Sequence, residues 1–239
     1  MKYLSSALFT SLFTALLVMQ PGFATAQSSC SSDGMKPVQQ MTERVISADC
    51  QDCWTSPLAI PKAPTAGLVL DWIVPSAAGD DAAMSAAASR DATTRLGALG
   101  KVLDKSQLLH RTTLQSLPRY QLRVAHGLPV NGYIGTSIEW TPKSRSPQTV
   151  KTQKTFISYL LLIELIPKGT ANSPVDRLLV RNMLEENWQL PSHTKFLSRR
   201  PMSIPDGVNP DNLQVVGWVQ DAQGRVLSMT QSRCQKSAK

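Results

Sequence analysis

The placement of four cysteines constrains this chain more than any other feature. Cys30 and Cys234 lie near opposite ends of the 239-residue sequence, while Cys50 and Cys53 are separated only by Gln51 and Asp52. An even number of cysteines in an exported chain reads as a disulfide framework, and four cysteines allow three connectivities. The most economical joins Cys50 to Cys53 and Cys30 to Cys234. The second bridge ties together the two ends of the mature chain, and loop-closure entropy then stabilises the fold by roughly 4 to 5 kcal/mol. Pairings of Cys30 with Cys50 or Cys53 stay open at this level.

The N-terminus supplies the export that such bridges require. Lys2 is a positive start, Tyr3 to Met19 is an uncharged apolar run, and Pro21-Gly22 breaks any helix. Ala24-Thr25-Ala26 then offers the small residues that a signal peptidase reads. Residues 1–26 are therefore read as a signal peptide, cleaved after Ala26. No later stretch is long and apolar enough to span a bilayer once the signal is gone. The best candidate, Phe156 to Pro167, is interrupted by Ser158, Tyr159 and Glu164 and suits a buried strand.

About 210 residues remain, enough for one large domain or two small ones. The formal charge is +8, or +7 without Lys2, and it is spread along the chain. The densest stretch, Lys143 to Lys154, alternates with Ser, Thr, Pro and Gln and reads as a solvated loop. No nucleic-acid motif accompanies it, so a basic soluble surface is expected and nucleic acid is not.

Cys50-Gln51-Asp52-Cys53 has the spacing in which one thiolate attacks and the second resolves the mixed disulfide. Metals use the same spacing, but a tetrahedral site needs about four ligands. The three histidines, His110, His126 and His193, are scattered without metal-like spacing. Haem attachment needs His directly after the second cysteine, where Trp54 stands. Neither a metal site nor a cofactor is expected.

Along the chain, Glu43 to Ala48 reads as a strand leading into the cysteine pair, and Pro57, Pro61 and Pro64 oppose a long helix after it. Leu68 to Val74 reads as a strand. Asp80 and Asp81 cap a helix expected over Ala82 to Leu103, and a second helical piece covers Lys105 to Gln115. Tyr120 to Ala125 and Tyr133 to Trp140 alternate as strands, with a turn at His126-Gly127. Phe156 to Ile166 is a further strand. Asn172-Ser173-Pro174 opens a helix to about Trp188, with Arg177 and Arg181 on one face above Glu185 and Glu186. Leu213 to Val219, a turn at Asp221 to Gly224 and Arg225 to Thr230 form a closing hairpin.

With these features the chain resembles a secreted thioredoxin-like family of unknown function, widespread in Gram-negative bacteria. The resemblance is carried by Val45 to Cys53, Leu70-Asp71-Trp72, Ser85 to Leu96, and Pro118 with Tyr120 to Gly127. It continues through Ser173-Pro174-Val175 with Arg177, Arg181 and Asn182, and through Val215 to Asp221. It implies an α/β fold, a thioredoxin-like core with an appended β-rich C-terminal region. The divisions are a flexible segment at 27–41, the core at 42–142, the basic loop at 143–154 and the β-rich region with one helix at 155–239. The resemblance also implies a proline beside the cysteine pair, often cis. Pro118 takes that place, with Pro129 as runner-up, so Cys50, Cys53 and Pro118 are the candidate catalytic set.

Two local features oppose strong redox activity. The prolines leave at most a short turn after Cys53, where a helix dipole would favour thiolate. Asp49 and Asp52 adjoin the thiols and raise their pKa. The leading expectation is therefore an exported thioredoxin-like protein, non-catalytic or weakly redox-active. The alternatives are a thiol-disulfide oxidoreductase acting on exported proteins and a metal-handling protein, for copper(I) or zinc(II), that uses the thiols with or without a Met. Asp71 and Trp72 are weighed as cleft residues against a capping Asp and a buried Trp.

Overall fold

The computed structural model describes residues 30–56, 67–114, 119–143, 153–191 and 194–234. The signal peptide, Pro118, His193 and most of the basic loop lie outside them. The described chain is predominantly β, with twelve strands in two sheets and two short α-helices. In chain order these are β1 (Cys30–Ser31), β2 (Gln40–Ser47), α1 (Gln51–Thr55), β3 (Gly67–Val74), α2 (Arg90–Ala98) and β4 (Gln107–Thr113). Then follow β5 (Tyr120–Val130), β6 (Tyr133–Pro142), β7 (Gln153–Ile166), β8 (Arg177–Pro191) and β9 (Phe196–Ser203). The chain closes with β10 (Leu213–Asp221), β11 (Val226–Gln231) and β12 (Arg233–Cys234).

The larger sheet runs β11-β10-β7-β8-β3-β2-β4, and the smaller runs β12-β1-β5-β6-β9. Strand β3 is parallel to both β2 and β8, and the other pairings are antiparallel. The period-2 alternation of strand side chains sorts the core into layers. One face of the large sheet places Met41, Val45, Leu70, Trp72, Leu161 and Trp218 under Ala92 and Leu96 of α2. The other face divides. Its β7–β10 half packs Leu160, Leu162, Val215 and Val219 against Val124, Ile138 and Trp140 of the small sheet. Its β2–β3 half packs Ile46 and Ile73 against Cys53 and Trp54 of α1. Where the sheets meet, Gly217 leaves room for its neighbours. A Cβ there would stand 2.6 Å from Val124 Cγ1 and 3.3 Å from Tyr159 O.

This architecture overturns the thioredoxin-like α/β reading, because the segments expected as helices are mostly strands. Most of the helix expected from Asn172 to Trp188 is instead β8, from Arg177 onward, hydrogen-bonded to β7 along its length. The pairing skips Arg181, so one extra residue sits in β8 and exchanges the faces of the residues beyond it. That shift spaces the apolar residues in a way that imitates helical periodicity. Within the segment expected as helix over 105–115, Gln107–Thr113 form β4, antiparallel to β2. Of Ala82 to Leu103, only Arg90 to Ala98 is α-helical. Its cap is Ser89, whose hydroxyl accepts from Ala92 N–H, while Asp80 and Asp81 lie in a separate 3-10 turn with no side-chain cap bond. His126-Gly127 is no turn either. The chain bulges there and turns at Asn131-Gly132, both with positive φ, as a tight hairpin requires. The strands over 43–48, 68–74, 120–125, 133–140 and 156–166 and the closing hairpin do form, with small differences at their ends.

Candidate functional site

Cys50 and Cys53 are joined in a disulfide with Cα atoms 5.3 Å apart. The bridge sits at the start of α1, which is completed before Pro57 and corrects the expectation of a mere turn. Cys50 is the N-cap, and its sulfur accepts from Cys53 N–H at 3.3 Å. Ser56 then leaves the helix in an extended conformation, as the residue before a proline must. Cys50 is half-buried and Cys53 is buried.

The short helix is held from beneath by a charged cluster drawn from three adjacent strands. Arg44 on β2 and Asp71 on β3 are paired in the parallel register, with Arg44 Nε donating to Asp71 Oδ1 at 2.7 Å. Arg177, at the start of β8, donates from Nη1 to the other carboxylate oxygen at 3.2 Å. All three side chains are buried. The guanidiniums also reach the last carbonyls of α1, which have no partner within the helix. Arg44 Nη1 donates to Cys53 O at 3.3 Å, and Arg177 Nη2 donates to Trp54 O. Arg177 lies over the Trp54 ring, 4.3 Å from its centroid, and Trp54 Nε1 donates to Ala171 O at 2.8 Å. Burial pushes the Asp71 carboxyl up to about 6, against the pull of Arg44. Two cations at the C-terminal end of α1 also complement its dipole.

The residues singled out from sequence are thus redistributed. Asp71 meets Cys53 and Trp54 through Arg44 and Arg177 but is itself buried, and Trp72 points to the opposite face of the sheet. Arg177 and Arg181 grip no common anion. Arg181 donates to Glu164 Oε2 at 2.7 Å, and Arg177 is committed to Asp71 and Ser173. Pro129 lies in the small sheet, and none of the described peptide bonds is cis. On the outer side of the Cys50–Cys53 bridge lies an open depression of about 580 Å³. Asp49, Asp52, Asp104 and Lys105 border it. The three carboxylates oppose a thiolate at Cys50, while the start of α1 and the Cys53 N–H favour one.

Cys30 and Cys234 form the other disulfide, across the β1–β12 pairing. Beside it stands His126 of β5, the strand partner of Cys30. Sequence reasoning missed this histidine, because nothing in a separation of almost a hundred residues signals the contact. Among the described residues no helix is long and apolar enough to cross a membrane. The two disulfides are consistent with an exported protein.

No protein-family model matches the chain, and no curated protein matches it by sequence. Among solved structures it is similar to a domain of the outer membrane lipoprotein Omp28 from Porphyromonas gingivalis, at 11% identity and a TM-score of 0.34. The overlap covers 53% of this chain and 97% of that one. At that level it transfers neither fold nor function.

Proposed function

We propose that this chain is an exported, non-catalytic β-domain, periplasmic or secreted, whose disulfides are structural and whose surface engages another exported protein. The observation that carries the reading is the anchoring of α1. Thiol exchange at Cys50 needs an accessible sulfur and a thiolate that its surroundings stabilise. Here Arg44 and Arg177 hold the two carbonyls at the end of α1 from a buried site, and three carboxylates share with Cys50 the rim of the depression above it.

The competing reading, a thiol-disulfide oxidoreductase, draws on one specific observation: Cys50 is the half-exposed member of the pair and caps the helix. The two readings part in a trapping experiment. With Cys53→Ser, an oxidoreductase accumulates mixed disulfides through Cys50, because the resolving thiol is gone. The expected result is no more adducts on non-reducing gels than a Cys50→Ser control gives. Discrete partner adducts confined to Cys53→Ser would reverse the assignment.

A further inference from the structure

The Cys30–Cys234 bridge has a neighbour that a purely structural disulfide does not need. A ring nitrogen of His126 and the sulfurs of Cys30 and Cys234 all lie within 4.8 Å of one another. The imidazole is held in one orientation. Nδ1 lies 2.9 Å from the Gly127 carbonyl oxygen, which can only accept, so Nδ1 carries the proton. Nε2 is buried and makes no hydrogen bond of ordinary geometry among the described residues, and the Leu213 carbonyl also lies near the ring. A ligating histidine is set in the same way, its second ring N–H fixed on a carbonyl. Cys30 and His126 are buried while Cys234 is exposed, so the group opens to solvent on one side.

We propose that, once its disulfide is reduced, the Cys30–His126–Cys234 group is a binding site for a thiophilic d10 cation such as zinc(II), with water as the fourth ligand. The inference goes beyond the binding reading above and does not rest on it. Two thiolates and one imidazole are the donor set that such ions favour, and an open fourth position leaves room for water. The sulfurs need only part from bonding distance to the separation of two ligands on one metal. The chemistry balances in two steps. A dithiol reductant delivers two electrons and two protons to the S–S bond and is itself oxidised to a disulfide, leaving two thiols. The cation then displaces both thiol protons. Strands β1 and β12 would stay joined through the metal in place of the covalent bond.

The test uses the Cys50→Ser/Cys53→Ser chain, in which Cys30 and Cys234 are the remaining thiols. It is reduced with a phosphine, given zinc(II) without oxygen and passed through gel filtration. The expected result is about one zinc per chain, with Cys30 and Cys234 protected from alkylation, and at least a tenfold loss of affinity in His126→Gln. A Cys30→Ser form added to the same background should retain none. Three results would overturn the proposal: no retained zinc, equal retention by His126→Gln, or strand circular dichroism that is lost on reduction and not restored by zinc.

Discussion

Asp71→Ala is expected to destabilise the fold by about 3 to 5 kcal/mol, because it leaves two buried guanidiniums without their counter-charge. Arg44 and Arg177 are both nearly inaccessible to solvent, and each donates directly to the Asp71 carboxylate. Neither cation can rotate into water without abandoning the α1 carbonyls it holds. A loss of that size is a large part of the roughly 5 to 15 kcal/mol that keeps a typical domain folded. Urea unfolding checks it through a lower midpoint with an unchanged slope. Because the cluster fastens the disulfide-bearing helix, the variant should also let a small dithiol reduce Cys50–Cys53 faster. A change below about 1 kcal/mol, the scale of an exposed ion pair, would show that the cluster does not anchor the site.

Removing the Cys30–Cys234 bridge as a double alanine variant should cost up to about 5 kcal/mol, the figure that loop entropy gives across a separation of 204 residues. The same relation gives about 2 kcal/mol for Cys50–Cys53, whose separation is 3. The contrast follows from where the cysteines sit. The long bridge joins the two terminal strands at the edge of the small sheet, where β1 and β12 each contribute only two residues. Backbone pairing of that length adds little, so the covalent link holds the edge. Comparing the denaturation midpoints of the two double variants measures the difference. Equal losses would mean that the ends of the chain associate without the bridge.

Strands with regular alternation were readable from sequence. Leu68 to Val74, Phe156 to Ile166 and the hairpin around Asp221 to Gly224 each show an uninterrupted apolar or alternating run bounded by turn residues. The global fold was not readable, for reasons that can be named. Arg181 interrupts the alternation of β8, and a Ser-Pro start with Leu, Met and Glu beyond it favours a helix locally. Position in the sheet decides instead, since β8 is flanked by β7 and β3 and its Leu179 and Val180 are buried against both faces. The alanine content of 82–88 favours helix, but that segment holds only one short 3-10 turn, Ser85–Ala87, and Ser89 caps the helix proper.

The candidate site shows the same division. The Cys-x-x-Cys spacing drew attention to Cys50 and Cys53, and Asp71 and Arg177 were singled out separately. Their meeting depends on three strands whose order no local pattern records. Arg44 was overlooked because an arginine inside a short β-prone run reads as an exposed residue. Only the parallel register with Asp71 explains why it can be buried. His126 was read as part of a turn, although it faces a disulfide built from the two ends of the described chain.

The reduction potential of the Cys50–Cys53 pair, measured by equilibration with a thiol-disulfide buffer in a chain whose Cys30–Cys234 bridge is intact, decides whether the pair is structural. A potential below about −300 mV is the predicted result and marks a structural bridge. A value between about −120 and −200 mV would contradict it and make the pair a working thiol oxidant or isomerase.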